Sequence, residues 1–186
     1  MDFDFQKIVQ ILAYLCTKEW DKINYTKALK IIFFSDKLFL RRFWRTITAD
    51  NYSALKHWPV ASKTFDLVKS PEEYNETYIQ SYFIRDGYDI KKVSNPDLEF
   101  LAKKEIDTID EIYSLFWSLN YSQLIEKTHQ YDEWKIHEEV VKNGNARPMS
   151  IEDLFRNSLW QDSIFDMPQD EIDMARDVYS ESLSYA

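Results

Sequence analysis

The sequence predicts a single α+β domain, mainly α-helical, with a small β-hairpin or sheet. Three observations carry that expectation. Apolar residues recur at i, i+3, i+4 and i+7 through two long stretches, Phe5 to Cys16 and Ala28 to Phe43. One Asp-Gly pair, Asp86-Gly87, lies between Tyr82-Phe83-Ile84 and Tyr88-Asp89-Ile90, the spacing of a tight hairpin. With 186 residues and 45% hydrophobic content, the chain can bury one sizeable core.

The elements follow in order. Phe5, Ile8, Val9, Leu12, Leu15 and Cys16 define a first helix over about 4–18. Asn24 and Thr26 offer caps for a second helix running through Trp44. Lys27, Lys30, Lys37, Arg41 and Arg45 stripe its opposite side, a pattern read as a solvated face or one paired within the chain. Residues 47–56 turn irregular and mildly strand-like. A short helix is expected over 62–69, and Ser70-Pro71-Glu72-Glu73 has the cap-then-proline grammar of another. Asn95-Pro96-Asp97 restarts a helix kept in period by Ile106, Ile109, Ile112 or Tyr113, Phe116 and Leu119. Ser122 is expected to cap a short helix through His129, a further one covers about 132–142, and Asn143-Gly144-Asn145 stops it. Ser150-Ile-Glu-Asp153 resembles a capping box opening a helix to about Trp160, and a last helix begins near Pro168. The predicted division is a domain over 1–145 and an acidic helical extension over 146–186, of which residues 150–186 are expected to be removable without unfolding the domain.

Composition excludes several function classes. Lys plus Arg is 23 and Asp plus Glu is 32, a net charge of −9 that disfavours nucleic-acid binding through the overall field. The single cysteine, Cys16, allows neither an internal disulfide nor a cysteine zinc site. No run approaches the ~20 apolar residues a membrane span needs. The acidic start, Met1-Asp2-Phe3-Asp4, reads as cytoplasmic. Gly87 and Gly144 are the only glycines, so a glycine-rich phosphate loop is excluded. His57, His129 and His137 lack ligand spacing, and no serine lies in a nucleophile elbow, so no metal, cofactor or catalytic set is expected.

Two features ask for a reading. Asp36 falls on the apolar face of the second helix between Ile32 and Phe39, and a buried carboxylate needs defined partners. A structural tether is preferred over a catalytic acid. The second feature is charge: residues 150–186 hold nine acids against Arg156 and Arg176, interleaved with Leu154, Phe155, Trp160, Ile164, Phe165 and Met167. That combination suits docking onto a basic protein surface through steering and aromatic anchors, and equally a solvated face packed on the domain. Twelve Tyr, twelve Phe and six Trp likewise exceed what a core of this size needs, which points to an interface.

The order of segments resembles a known family. Lys27-Ala-Leu-Lys-Ile-Ile-Phe-Phe-Ser-Asp36, Ile47-Thr-Ala-Asp-Asn-Tyr52-Ser-Ala54 and Lys56-His-Trp58-Pro59-Val60-Ala-Ser62 are similar to the Panacea domain of SocA-like antitoxins. Asn95-Pro-Asp97, Leu124-Ile-Glu-Lys-Thr128-His129 and Trp134 continue the resemblance over about residues 5–142, and Pro148 to Leu154 looks like a short helix that follows the domain. The family usually has Gly-Pro-Val where this chain has Trp58-Pro59-Val60. If that glycine serves a positive φ angle, Trp58 is strained, its turn differs, and its ring becomes an exposed anchor.

The resemblance implies a mainly helical fold and a non-enzymatic antitoxin. Its partner would be a cognate toxin encoded by the adjacent gene, neutralised by direct occlusion. Such toxins include translation inhibitors, among them tRNA-modifying enzymes similar to small alarmone synthetases. The alternative within the family is an adaptor that delivers the toxin to a ClpXP-type protease. No direct nucleic-acid or membrane contact is expected. The toxin-binding candidates are Trp58, Phe155, Trp160, Phe165, Asp162 and Asp166. Asp36, Tyr52, Lys56, Pro59, Val60, Thr128, His129 and Trp134 are taken as motif residues of the core architecture.

Overall fold

In the computed structural model, which describes residues 3–56, 58–158 and 162–184 (Trp58 and Leu183 by backbone alone), helix α1 spans Phe5–Lys18. The Asp4 carboxylate caps it by accepting from the Gln6 and Lys7 amides. A short strand β1 (Lys22–Asn24) leads into α2 (Tyr25–Phe43), capped by the Asn24 side chain on the Thr26 amide. Strands β2 (Tyr52–Leu55) and β3 (Trp58–Ala61) form a hairpin, followed by α3 (Ser62–Lys69) and a single 3₁₀ turn over Pro71–Glu73. Then come α4 (Glu76–Tyr82), β4 (Phe83–Asp86), β5 (Asp89–Lys92), α5 (Lys103–Phe116) and α6 (Tyr121–Thr128). The chain continues through α7 (Asp132–Lys135), α8 (Glu138–Lys142), β6 (Arg147–Met149), a 3₁₀ turn over Ile151–Phe155, and α9 (Gln169–Ser184).

The α+β expectation holds, with more sheet than expected. Gly87 turns the 83–92 hairpin at φ +65°, and β1 adds to it, giving the antiparallel order β1-β5-β4. A second antiparallel sheet has β2 at its centre, with Tyr52 opposite Ala61 of β3 on one side and Met149 of β6 on the other. Asn120 rather than Ser122 caps α6, exchanging hydrogen bonds with Gln123.

Helix α2 is the axis of the fold. Every residue from Tyr25 to Arg41 is buried, against α5, α6, α9 and the strands β1 and β3. The basic stripe is therefore not a solvated face, and each cation has its own internal acceptors. Lys27 Nζ bonds the Glu19 carboxylate and, at 2.7 Å, the Trp117 carbonyl. Lys30 Nζ donates to the Pro59 carbonyl at 2.7 Å, and Lys37 Nζ to Glu133 Oε1 at 2.7 Å, that pair fully enclosed. Burial pushes the Lys37 ammonium down to about 8 against the opposing pull of Glu133.

Arg41, 1% exposed, binds the C-terminal segment. Its guanidinium donates to the carbonyls of Leu154 (2.9 Å), Phe165 (2.7 Å) and Arg156, and to Asn157 Oδ1 at 3.0 Å. Carbonyls turned toward Arg41 are not available to amides four residues on. The helix expected from Ser150 to Trp160 accordingly stops at the 3₁₀ turn, although the Ser150/Asp153 capping box is formed. The segment is not an appendage either. Phe155, Phe165, Ile172 and Ala175 are fully buried in the common core, and β6 completes a sheet.

Arg41→Ala should strand three carbonyls and lower stability by about 3 kcal/mol or more, with residues 154–184 becoming the first sites of limited proteolysis. Truncation after Asn145 should yield a chain without cooperative unfolding. A soluble, cooperatively melting 1–145 fragment would show that the segment is dispensable.

Candidate partner interface

The C-terminal end of α2 shapes the surface. Trp44 closes the helix in left-handed backbone at φ 63°, its amide bonded to the Leu40 carbonyl at 2.9 Å, a position where glycine is usual. The chain then makes a compact loop to Asn51 that is held between two carboxylates. Asp36 Oδ1 accepts from the amides of Ile47 (2.6 Å) and Thr48 (3.1 Å). Its Oδ2 accepts from Thr48 Oγ1 (2.5 Å) and from the Tyr52 hydroxyl. Asp36 thus has the geometry of a tether between helix and loop, with all four donors inside the fold.

Asp50 is the second tether, one that sequence reading missed. It accepts from the amides of Asn51 (2.6 Å), Lys63 (2.8 Å) and Thr64 (2.8 Å) and from Thr64 Oγ1 (2.6 Å). It caps α3, whose own preceding residue, Ala61, has no side chain able to do so. Burial raises the pKa of both carboxyls, that of Asp36 to about 6, in opposition to the hydrogen bonds that favour the charged form.

This fixed loop forms one wall of an open cavity of about 500 Å³. Phe43, Trp44 and Arg45 lie on the α2 side; Ile151 and the α9 residues Val178, Tyr179 and Ser182 lie opposite. Ala49, at φ 51°, is a second left-handed residue in the same wall. The outer face of α9 exposes Asp170, Glu171, Asp177 and Glu181, which have no ion pair among the described residues. Arg176 of the same helix is occupied by Glu152 (3.3 Å) and Asp173 (3.1 Å).

The residues singled out for toxin contact are scattered. Phe155 and Phe165 are fully buried and serve the core, so neither is offered to a partner; their alternation with acids is the signature of a packed segment. Asp162 accepts from the Tyr131 hydroxyl and pairs with Lys127 at 2.9 Å, fastening its loop to α6. Asp166 is exposed. Trp160 and the Trp58 side chain lie outside the described residues; the Trp58 backbone is in β3 opposite Leu55.

The motif residues converge instead. Tyr52, Pro59 and Val60 are buried on the β2–β3 hairpin, and Lys56 is exposed at its turn. Thr128 is buried and donates to the Ile125 carbonyl at 2.7 Å. The His129 ring stacks on Trp134 at 3.8 Å, and Trp134 Nε1 donates to the Leu55 carbonyl at 3.2 Å, joining α6–α7 to the hairpin.

Two exposed tryptophans went unnoticed in sequence. Helices α1 and α5 run parallel, joined by Lys7–Glu105, Tyr14–Asp110 and Tyr113–Lys18. Trp20 (96% exposed, φ 58°) and Trp117 (61% exposed) follow their C-termini at one end of the molecule. The available signal was a tryptophan just past the last periodic residue of a helix, where glycine is ordinary.

The architecture defines a helical α+β domain with a buried polar axis and open aromatic-rimmed surfaces. The sequence model of the SocA-like antitoxin family, Panacea domain, matches residues 29–135. The chain belongs to that family. No curated protein and no solved structure matches it. The matched span runs from α2 to α7, so the Asp36 and Asp50 tethers lie inside it and α9 lies beyond it.

Because Asp36 is raised to about 6, the folded chain holds a proton between about pH 4 and pH 6 that the unfolded chain has released. Its contribution, about 3 kcal/mol, is complete below about pH 4 and is lost as pH rises through 6. Asp36→Asn keeps an acceptor for both amides and should flatten the dependence of Tm on pH over that range while staying near wild-type stability. Asp36→Ala should cost about 3 kcal/mol or more at every pH, since it leaves buried amides unpaired. Equal Tm values for the two variants would refute the tether.

Proposed function

We propose that this chain is the antitoxin of a toxin–antitoxin pair, binding a toxin encoded by the adjacent gene and neutralising it by covering its working surface, without a catalytic step of its own. The observation that carries this reading is the family match over 29–135. A second observation agrees with it: among the described residues Asp170, Glu171, Asp177 and Glu181 on the outer face of α9 have no ion pair, which leaves them able to face cations on another protein. A toxin that blocks translation by modifying tRNA needs a basic surface to hold phosphates, and an acidic cover competes with RNA for that surface. The pairing takes place in the cytoplasm, where such a substrate resides.

Co-expression with the product of the adjacent gene should restore growth and give a stable complex on affinity purification. Toxin abundance should be the same in cells with and without a ClpXP-type protease. Toxin that disappears only when the protease is present would replace occlusion with the adaptor mechanism. No toxicity and no complex would overturn the antitoxin reading. The association rate should also fall as salt rises from 50 to 500 mM, reflecting screened steering.

A further inference from the structure

We infer that the cavity between the 43–51 loop and α9 is the docking groove for a basic, apolar-anchored segment of the toxin, an inference that rests on the antitoxin reading above. At about 500 Å³ it is in the size range of pockets that enclose a ligand group, here a large aliphatic or aromatic side chain. Phe43, Trp44, Ile151, Val178 and Tyr179 give it apolar surface for such a side chain, beside the polar Thr46, Asn51 and Ser182.

On the α9 side the exposed charge at the groove is acidic. On α9, Asp177 and Glu181 flank Val178 and Ser182 on the solvent side at about 100° per residue, next to the half-exposed Met174. Neither acid has an ion pair among the described residues. On the opposite rim the cations are engaged: Arg42 with Glu111 at 2.5 Å and Arg45 with Glu105 at 2.9 Å. The groove therefore combines apolar wall residues with an acidic α9 rim, complementary to an anchor flanked by Lys or Arg. A second copy of this chain, at net charge −9 and carrying the same acids, is repelled from it.

The wall is preorganised. Asp36 and Asp50 fix the loop from inside, so little ordering is left to occur on binding. Trp44 is held there at a conformational cost. A left-handed backbone disfavours any residue with a Cβ, yet this position exposes 44% of a tryptophan to solvent. Glycine would relieve the strain and delete the ring, so stability and binding respond to that change in opposite directions.

The test titrates the full chain with the purified product of the adjacent gene by calorimetry. Trp44→Gly should keep or raise the Tm while weakening binding at least 10-fold. Asp177→Lys with Glu181→Lys should weaken binding at least 10-fold and flatten its salt dependence. Trp20→Ala with Trp117→Ala, at the far end of α2, should bind as the wild type does. Wild-type affinity in the groove variants, with the loss appearing at Trp20 and Trp117, would move the interface to the other end and leave the antitoxin reading standing. A wild-type chain that neither binds nor rescues growth would overturn both.

Discussion

A guanidinium or ammonium taken out of water must find acceptors, and α2 places four such groups in the interior of the fold. Each one reaches a different segment: Lys27 the end of α5, Lys30 the β3 strand, Lys37 the α7 turn, and Arg41 the C-terminal segment. Moving along the helix, the cations mark the order in which its neighbours pack. Leaving any one of them unmatched costs several kcal/mol, so alternative packings that shift a segment by a residue are penalised. The apolar neighbours of α2 could slide over one another at lower cost; its hydrogen-bonded cations cannot.

The same constraint explains what could be read from the sequence. Periodicity located α1, α2 and α5, and turn chemistry located the 83–92 hairpin, because those signals are local. Asp36 was legible as a single acid on an apolar face. The fate of the basic stripe was not legible, since a period of 3.6 says which side of a helix is apolar and nothing about whether the other side is covered. Lys37 and its partner Glu133 lie 96 residues apart, and Arg41 bonds mainly to backbone carbonyls, which have no residue signature. Phe155 and Phe165 misled for a related reason: acids between aromatics describe a docking helix and a core segment with a wet outer edge equally well. Asp50 escaped notice because the helix it caps begins 12 residues later, at Ser62.

The positive-φ tryptophans invert the usual use of that conformation. Helices commonly end on glycine because the left-handed region costs it nothing. Here Trp20 and Trp44 occupy it, and both project the largest side chain from a helix terminus toward solvent. Folding gains little from an exposed ring, so the strain is offset elsewhere in the structure, by the α1 and α2 packing that fixes the preceding turns. The 44–51 loop shows how: two buried carboxylates hold it so firmly that the exposed residues on its outside have no choice of conformation.

Interior cations and an acidic exterior also bear on how a partner is met. Lys30 is bonded to a carbonyl in the interior, and burial holds its pKa well below the ordinary lysine range. Lys37 and Arg41 lie beneath the surface, whereas Asp170, Glu171, Asp177 and Glu181 stand on it. An approaching protein therefore meets a surface more negative than an even spread of the 23 cations would give. Under the proposed occlusion, steering by that surface would raise the encounter rate, and apolar contacts in the groove would slow dissociation. Fast capture and slow release are what neutralisation by occlusion requires, because free toxin acts for as long as it remains uncovered.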